Sequence, residues 1–118
     1  MATKPVPTPE LNLATVRTPE QITVRCTGKI TSNTSALLQT TVRDLMTQTK
    51  SVVLDLTDVS YMDSSGLGAI IGLYVSAKRL HCGLKLVNLN QRLQELFRIT
   101  KLASVFEGHE DFLGWTPD

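Results

Sequence analysis

The stretch VVLDLTDVSYMDSSGLGAIIGLYVSAKR, residues 52–79, decides how this chain folds. With Ser51 it opens as SVVLDL, a continuous apolar run of the kind buried on both faces of a parallel sheet or under a helix. It closes with Leu67, Ile70, Ile71, Tyr74 and Val75 at i, i+3, i+4, i+7 and i+8. That is the apolar stripe of a helix, and Lys78 and Arg79 sit in its last turn against the negative end of the dipole. The residues between Leu56 and Leu67 then lie at the carboxyl end of a strand, where open α/β sheets gather their functional groups. Either Asp63 or Ser64 is the N-cap, and Gly66 and Gly68 let the first turn pack close to neighbouring backbone.

Working outward, LATVRT and ITVRCTG are β-branched runs separated by Pro19, Glu20 and Gln21, the pattern of two antiparallel strands at a tight turn. TSNTSALLQTTVRDLMTQT places Leu38, Val42 and Leu45 at helical spacing. Met46 and either Ala36 or Leu37 widen the stripe, and a Ser, Asn and Thr cluster at its start is suited to N-capping. LKLVNL reads as a strand, Leu93, Leu96 and Phe97 mark a further helix, and SVFEG is a last short strand before a tail containing Trp115. The pattern predicts an α/β fold: one small mixed β-sheet with helices packed on one side, about five strands and three to four helices. Residues 1–10, MATKPVPTPE, read as a flexible Pro-rich tail without the apolar core of a signal peptide, and residues 11–118 as a single domain.

Composition excludes several functions. The chain has 118 residues, 42% of them hydrophobic, and a formal net charge of +1. Neither disorder nor a polybasic nucleic-acid surface follows from that balance, and no direct contact with nucleic acid is expected. The longest apolar run, Leu67 to Val75, is too short to span a bilayer, so no membrane insertion is expected. Cys26 and Cys82 form no CxxC or metal-type spacing and read as small buried hydrophobes, reduced thiols of a cytoplasmic protein.

The serines at 64 and 65 admit several chemistries. As structural residues they cap and fill the first turn of the helix. As nucleophiles they lack support: Met62 stands where a nucleophile elbow needs glycine, no S-x-x-K begins at either serine, and the only histidines are His81 and His109. His81 lies at the far end of the helix, roughly 25 Å away at about 1.5 Å per residue, too far for proton transfer. Gly66-Leu67-Gly68 without a Walker pattern is a weak phosphate cradle, and Asp55, Asp58 and Asp63 lack the ligand spacing of a metal site. No cofactor, metal or enzymatic activity is expected. Phosphorylation is a different matter. A phosphate at a helix N-terminus is tolerated by the fold yet converts a neutral patch beside Asp63 into an acidic one, which is the physics of a binding switch. These arguments do not choose between Ser64 and Ser65.

VVLDLTDVSYMDSSGLGAIIGLYVSAKR closely resembles the core of the STAS domain of bacterial anti-sigma factor antagonists, in which a strand leads through a loop to M-D-S-S/T-G-L-G and a helix. VRCTGKITSNTSALL and LVNLNQRLQELFRITKLASVF are similar to further parts of the same domain. The resemblance implies a protein that binds an anti-sigma factor with serine kinase activity and thereby releases a sigma factor. It also implies inactivation when the kinase phosphorylates the serine directly after the motif aspartate, here Ser64, and reversal by a serine phosphatase. ATP would belong to the partner. Asp63, Ser65, Gly66 and Gly68 would support the switch, with Asn33, Thr34 and Leu67 near the partner contact.

The chain departs from the family where G-E-L-D is common before the first helix: it has Gly28, Lys29, Ile30 and Thr31. Loss of both acids alters the surface expected near the switch. Lys101 stands where glycine is frequent, a turn variation. The alternative reading within the same fold is a non-catalytic STAS partner subunit of a membrane transporter, for which Ser64 is only structural.

Overall fold

A computed structural model describes residues 10–101, 107–108, 112–115 and 117. The expected N-terminal tail falls outside these apart from Glu10, as do His109 and the first three residues of SVFEG. The strands are β1 Leu11–Arg17, β2 Ile22–Ile30, β3 Ser51–Met62, β4 Gly83–Val87, β5 Glu107–Gly108 and β6 Phe112–Trp115; the helices are α1 Ser35–Met46, α2 Ser64–Leu80 and α3 Gln91–Ile99. They build one mixed sheet in the order β1-β2-β3-β4-β6-β5. β1 is antiparallel to β2, while β2, β3 and β4 run parallel, each joined to the next by a helix. This is the expected one-sheet α/β architecture with three helices. It carries one strand more than expected: β6 inserts antiparallel between β4 and β5. FLGW escapes a pattern reading because four residues with a glycine among them hardly alternate.

The core lies on one face of the sheet. In β2, Ile22, Val24 and Cys26 are buried while Arg25 and Thr27 are exposed, the period-2 signature of a strand with one covered face. Leu38, Val42, Leu45 and Met46 of α1 and Leu93 and Phe97 of α3 enter this same core. Leu37, not the exposed Ala36, packs beside the α1 stripe. The α2 stripe is rotated from the expected one: Leu67, Ile70, Leu73, Tyr74 and Ala77 are buried, Ile71 is only partly so, and Val75 is 54% exposed. The cause is α1, which occupies the adjoining side of α2, with Gln39 against Gly72 and Arg43 Nε donating to Ser76 Oγ at 3.1 Å. At the other end of α2, the Lys78 ammonium lies 5.0 Å from the Tyr74 ring centre and 5.8 Å from that of Trp115. His81, the left-handed C-cap, meets Trp115 edge-on at 6.0 Å, so the helix terminus holds β6 in place.

β3 runs six residues beyond SVVLDL, to Met62, and thus carries the chain directly into α2 through Asp63 alone. Its pairing with β2 shifts register between Arg25 and Thr27 and again between Gly28 and Lys29. Gly28 has φ +121°, and a Cβ there would fall 2.1 Å from the Glu10 carbonyl oxygen. Only glycine fits that approach. On the face away from the helices, Arg25 pairs with Asp58 at 2.7 Å. Asp55 accepts from the Thr57 amide, the Thr57 hydroxyl and Asn88.

Burial pushes the Cys26 thiol up to about 12, so it stays protonated and unreactive. Partial burial pulls the Asp55 carboxyl upward, but the hydrogen bonds from Thr57 and Asn88, aided by Arg25, outweigh it and leave the group below its ordinary value. A depressed carboxylate contributes stability that is present above the unfolded value of 3.8 and lost as pH falls through the folded one. The urea midpoint is therefore expected to fall as pH drops below about 4, and Asp55→Asn to flatten part of that decline. An unchanged acid limb in the variant would show that Asp55 does not contribute to it.

Candidate functional site

The site is the junction where β3 hands the chain to α2. Asp63 has extended backbone angles, φ −105° and ψ −172°, and its Oδ1 accepts from the Gly66 amide at 3.0 Å. This makes Asp63 the N-cap and puts Ser64 and Ser65 at the first two helical positions. The Asp63 amide donates to the Ile30 carbonyl at 3.2 Å, tying the turn to the end of β2. Gly66 lies on the same carbonyl: a Cβ there would sit 2.3 Å from the Ile30 oxygen and 2.7 Å from Met62 Cγ. Gly68 differs from expectation. It is exposed, with nothing within 4 Å of a Cβ placed on it, so it makes no close approach to backbone.

Both serine side chains are exposed. The Asp63 carboxylate beside them is committed to the cap, and His81 lies at the opposite end of the seventeen-residue helix. What this arrangement offers is a pair of hydroxyls held at fixed positions over the positive end of a helix dipole.

A groove of about 650 Å³ adjoins the helix start, lined by Glu10, Lys29, Thr31, Ser32, Asn33, Ser60, Tyr61, Asp63 and Arg92. Both departures from the G-E-L-D pattern, Lys29 and Thr31, line it. Tyr61, missed by the sequence reading, is 44% exposed here. Its signal was its place in β3, one residue out of phase with buried Met62. Of the residues expected near a partner contact, Asn33 is exposed and faces the groove. Thr34 and Leu67 are buried and present no side chain for docking. Leu67 belongs to the core, and the Thr34 hydroxyl accepts from the Thr31 amide at 2.8 Å while donating to the Lys29 carbonyl at 2.8 Å. Thr34 is the N-cap residue of α1, but its hydroxyl closes the preceding loop in place of capping the helix.

The STAS domain profile matches residues 12–112. The chain is 34% identical over 97 residues to the anti-sigma-B factor antagonist of Bacillus subtilis, covering 82% of this chain and 89% of that protein. Among solved structures, an anti-sigma factor antagonist from Mycobacterium paratuberculosis superposes with a TM-score of 0.73 at 17% identity, over 86% of this chain and 88% of the other. The phosphorylated form of the Bacillus cell fate determinant SpoIIAA gives 0.62 at 19% identity, over 80% and 86%. At such identities the two structures speak for the fold.

The two glycines of the first turn make opposite predictions. Gly66→Ala drives a methyl group into the Ile30 carbonyl and is expected to destabilise by about 1–3 kcal/mol. Gly68→Ala meets open space on a helix and is expected to be stabilising by about 0.5–1 kcal/mol. Urea unfolding of the two variants tests the pair, and equal effects would contradict the close packing assigned to Gly66.

Proposed function

The chain belongs to the STAS domain family, and we propose that it acts as an anti-sigma factor antagonist, switched off by phosphorylation of Ser64. The observation that carries this reading is the exposed Ser64 hydroxyl at the first helical position of α2, directly after a capping aspartate in M-D-S-S-G-L-G. Unmodified, the patch of Ser64, Ser65 and Gly68 offers a partner a small, uncharged surface that can be covered without stranding a charge. Asn33 and the groove beside it extend that surface. In this reading the anti-sigma factor is itself the serine kinase, ATP is bound by that partner, a serine phosphatase restores the antagonist, and the exchange takes place in the cytoplasm.

Phosphorylation adds about −1.5 to −2 charges at pH 7. The helix dipole favours an anion at this end, so the cost falls on the complex and not on the fold. A partner seated over the serine would have to bury that charge beside Asp63 or dissociate. The chain's own role requires no turnover: it is a ligand whose affinity is set by another protein. As a transporter subunit, the alternative within this fold, it would capture a membrane complex in co-purification and leave Ser64 unmodified.

Incubation with the cognate kinase and ATP is expected to add one phosphate, on Ser64, and peptide mass mapping that finds it only on Ser65 would overturn the assignment. Ser64→Ala is expected to block modification and keep the circular dichroism spectrum of the parent, since the N-cap is Asp63. Ser64→Asp is expected to weaken binding to the unmodified partner at least tenfold by calorimetry, about 1.4 kcal/mol. Equal binding of the phosphoprotein and the unmodified protein would remove the switch even if Ser64 carries the phosphate.

A further inference from the structure

We propose that the outward ridge of α2 is a docking surface for the anti-sigma factor, which covers it with an apolar face carrying an acidic side chain opposite Arg79. The inference rests on the function proposed above and names the chemistry of the partner at that site. The outward faces of the other helices are charged: Arg43 and Asp44 on α1, and Arg92, Glu95 and Arg98 on α3, are all exposed. α2 departs from this. Ser64 to Ala77 is a run of fourteen residues without a charge, and the only charged side chains of the helix, Lys78 and Arg79, belong to its last turn. At 3.6 residues per turn Ser64, Gly68, Ile71 and Val75 fall within about 60° of one another. Ser64 and Gly68 are exposed, Ile71 is partly so and Val75 is 54% exposed, while Ile70, Leu73 and Ala77 on the opposite side are buried. A surface helix normally turns a polar face to solvent, and a helix apolar on both sides is one that is covered on both.

What covers the ridge follows from where it starts. Ser64 is the residue a kinase must reach, and two serines with Gly68 are far smaller than the roughly 800 Å² per partner that a stable contact buries. The contact therefore has to spread from the junction. Along α2 it meets apolar surface that can be dried without stranding a charge, and none of the groove-lining residues belongs to this helix. The ridge ends on Arg79, which is exposed and among the described residues has no ion pair. At about 1.5 Å per residue it lies about 22 Å along the axis from Ser64. Lys78 is held over the Tyr74 and Trp115 rings, so Arg79 is the cation left for an acidic group of the partner. A second copy of α2 offers no such group, since the helix contains no acid.

The probe is the serine kinase purified for its ability to phosphorylate this chain with ATP. Val75→Glu tests the ridge, because glutamate is a better helix former than valine and stands at i, i+4 to Arg79. The variant is expected to keep the parent's circular dichroism spectrum and urea midpoint. It should raise the KM for this chain roughly tenfold or more with little change in kcat, the mark of lost binding with the reacting serine intact. Calorimetric affinity, with ADP in place of ATP, should fall by a similar factor. Val16→Glu sets the same charge on an exposed valine of β1 and is expected to change neither. Should Val75→Glu unfold, Arg79→Glu decides in its place. Parental KM and affinity in the folded variant, while Ser64→Asp still weakens binding, would overturn the docking surface and leave the switch standing. If no kinase modifies Ser64, the proposed function falls and this occupant falls with it. A mass that doubles with concentration, and that Val75→Glu returns to the monomer, would assign the ridge to a second copy and also overturn the proposal.

Discussion

The Ile30 carbonyl oxygen is the point on which the serine junction depends. It ends β2, accepts the amide of Asp63 where β3 gives way to α2, and leaves room above it only for a glycine at position 66. Three elements meet at one acceptor, and Ile30 itself is fully buried. The N-terminus of α2 is thereby fixed against the sheet by backbone and not by long side chains. Asp63 then serves twice, its amide held by the sheet and its carboxylate capping the helix. With both ends of that residue committed, the next two side chains have no route inward, and Ser64 and Ser65 point to solvent as a consequence of the turn.

Much of this was legible in the sequence, where strong periodicity or a single chemical demand acted alone. SVVLDL, the stripe of α1 and the helix at Leu93, Leu96 and Phe97 stand out because burial selects them residue by residue. The cap was narrowed to Asp63 or Ser64 but not resolved, since aspartate and serine are equally good caps and the choice depends on where β3 ends. The strand continues from Thr57 to Tyr61 with Val59 alone buried among exposed residues, held by pairing with β2 across two register shifts, and that pairing is a tertiary fact. Val75 and Leu73 exchanged roles for the same kind of reason. Both are apolar, and only the position of α1 against Gly72 and Ser76 says which one faces the core. β6 was hidden because its partners, Leu84 and Leu86 of β4 and the end of α2, are remote in sequence. Lys101 adopts φ +62°, the left-handed conformation that glycine enters without strain, which accounts for glycine being common at that turn.

The groove beside the helix start shows how this chain differs from the common family pattern. Lys29, Arg92, Glu10 and Asp63 all line it, a balanced set of charges on one surface. Acids at positions 29 and 31 would leave Arg92 alone against four carboxylates. Such a surface would attract a basic partner over a Debye length of about 8–10 Å, whereas a balanced one depends on contact geometry. The change sits next to the serine junction without altering the junction's own backbone, because Lys29 and Thr31 flank Ile30, whose carbonyl accepts the Asp63 amide.

Separating the two roles in this way would let one junction hold the fold and still accept the proposed phosphate. A phosphate added to an N-cap side chain would tie the modification to the hydrogen bond that starts the helix, because a phosphate oxygen would have to take over as the acceptor. Here the cap is the carboxylate of Asp63, and the hydroxyl proposed for modification is one position later, outside the bonds that join β2, β3 and α2. An anion there gains from the dipole of a seventeen-residue helix and meets no buried group that must move. The added charge is visible to a partner across the surface and almost invisible to the core, so the same junction can report a modification without being destabilised by it.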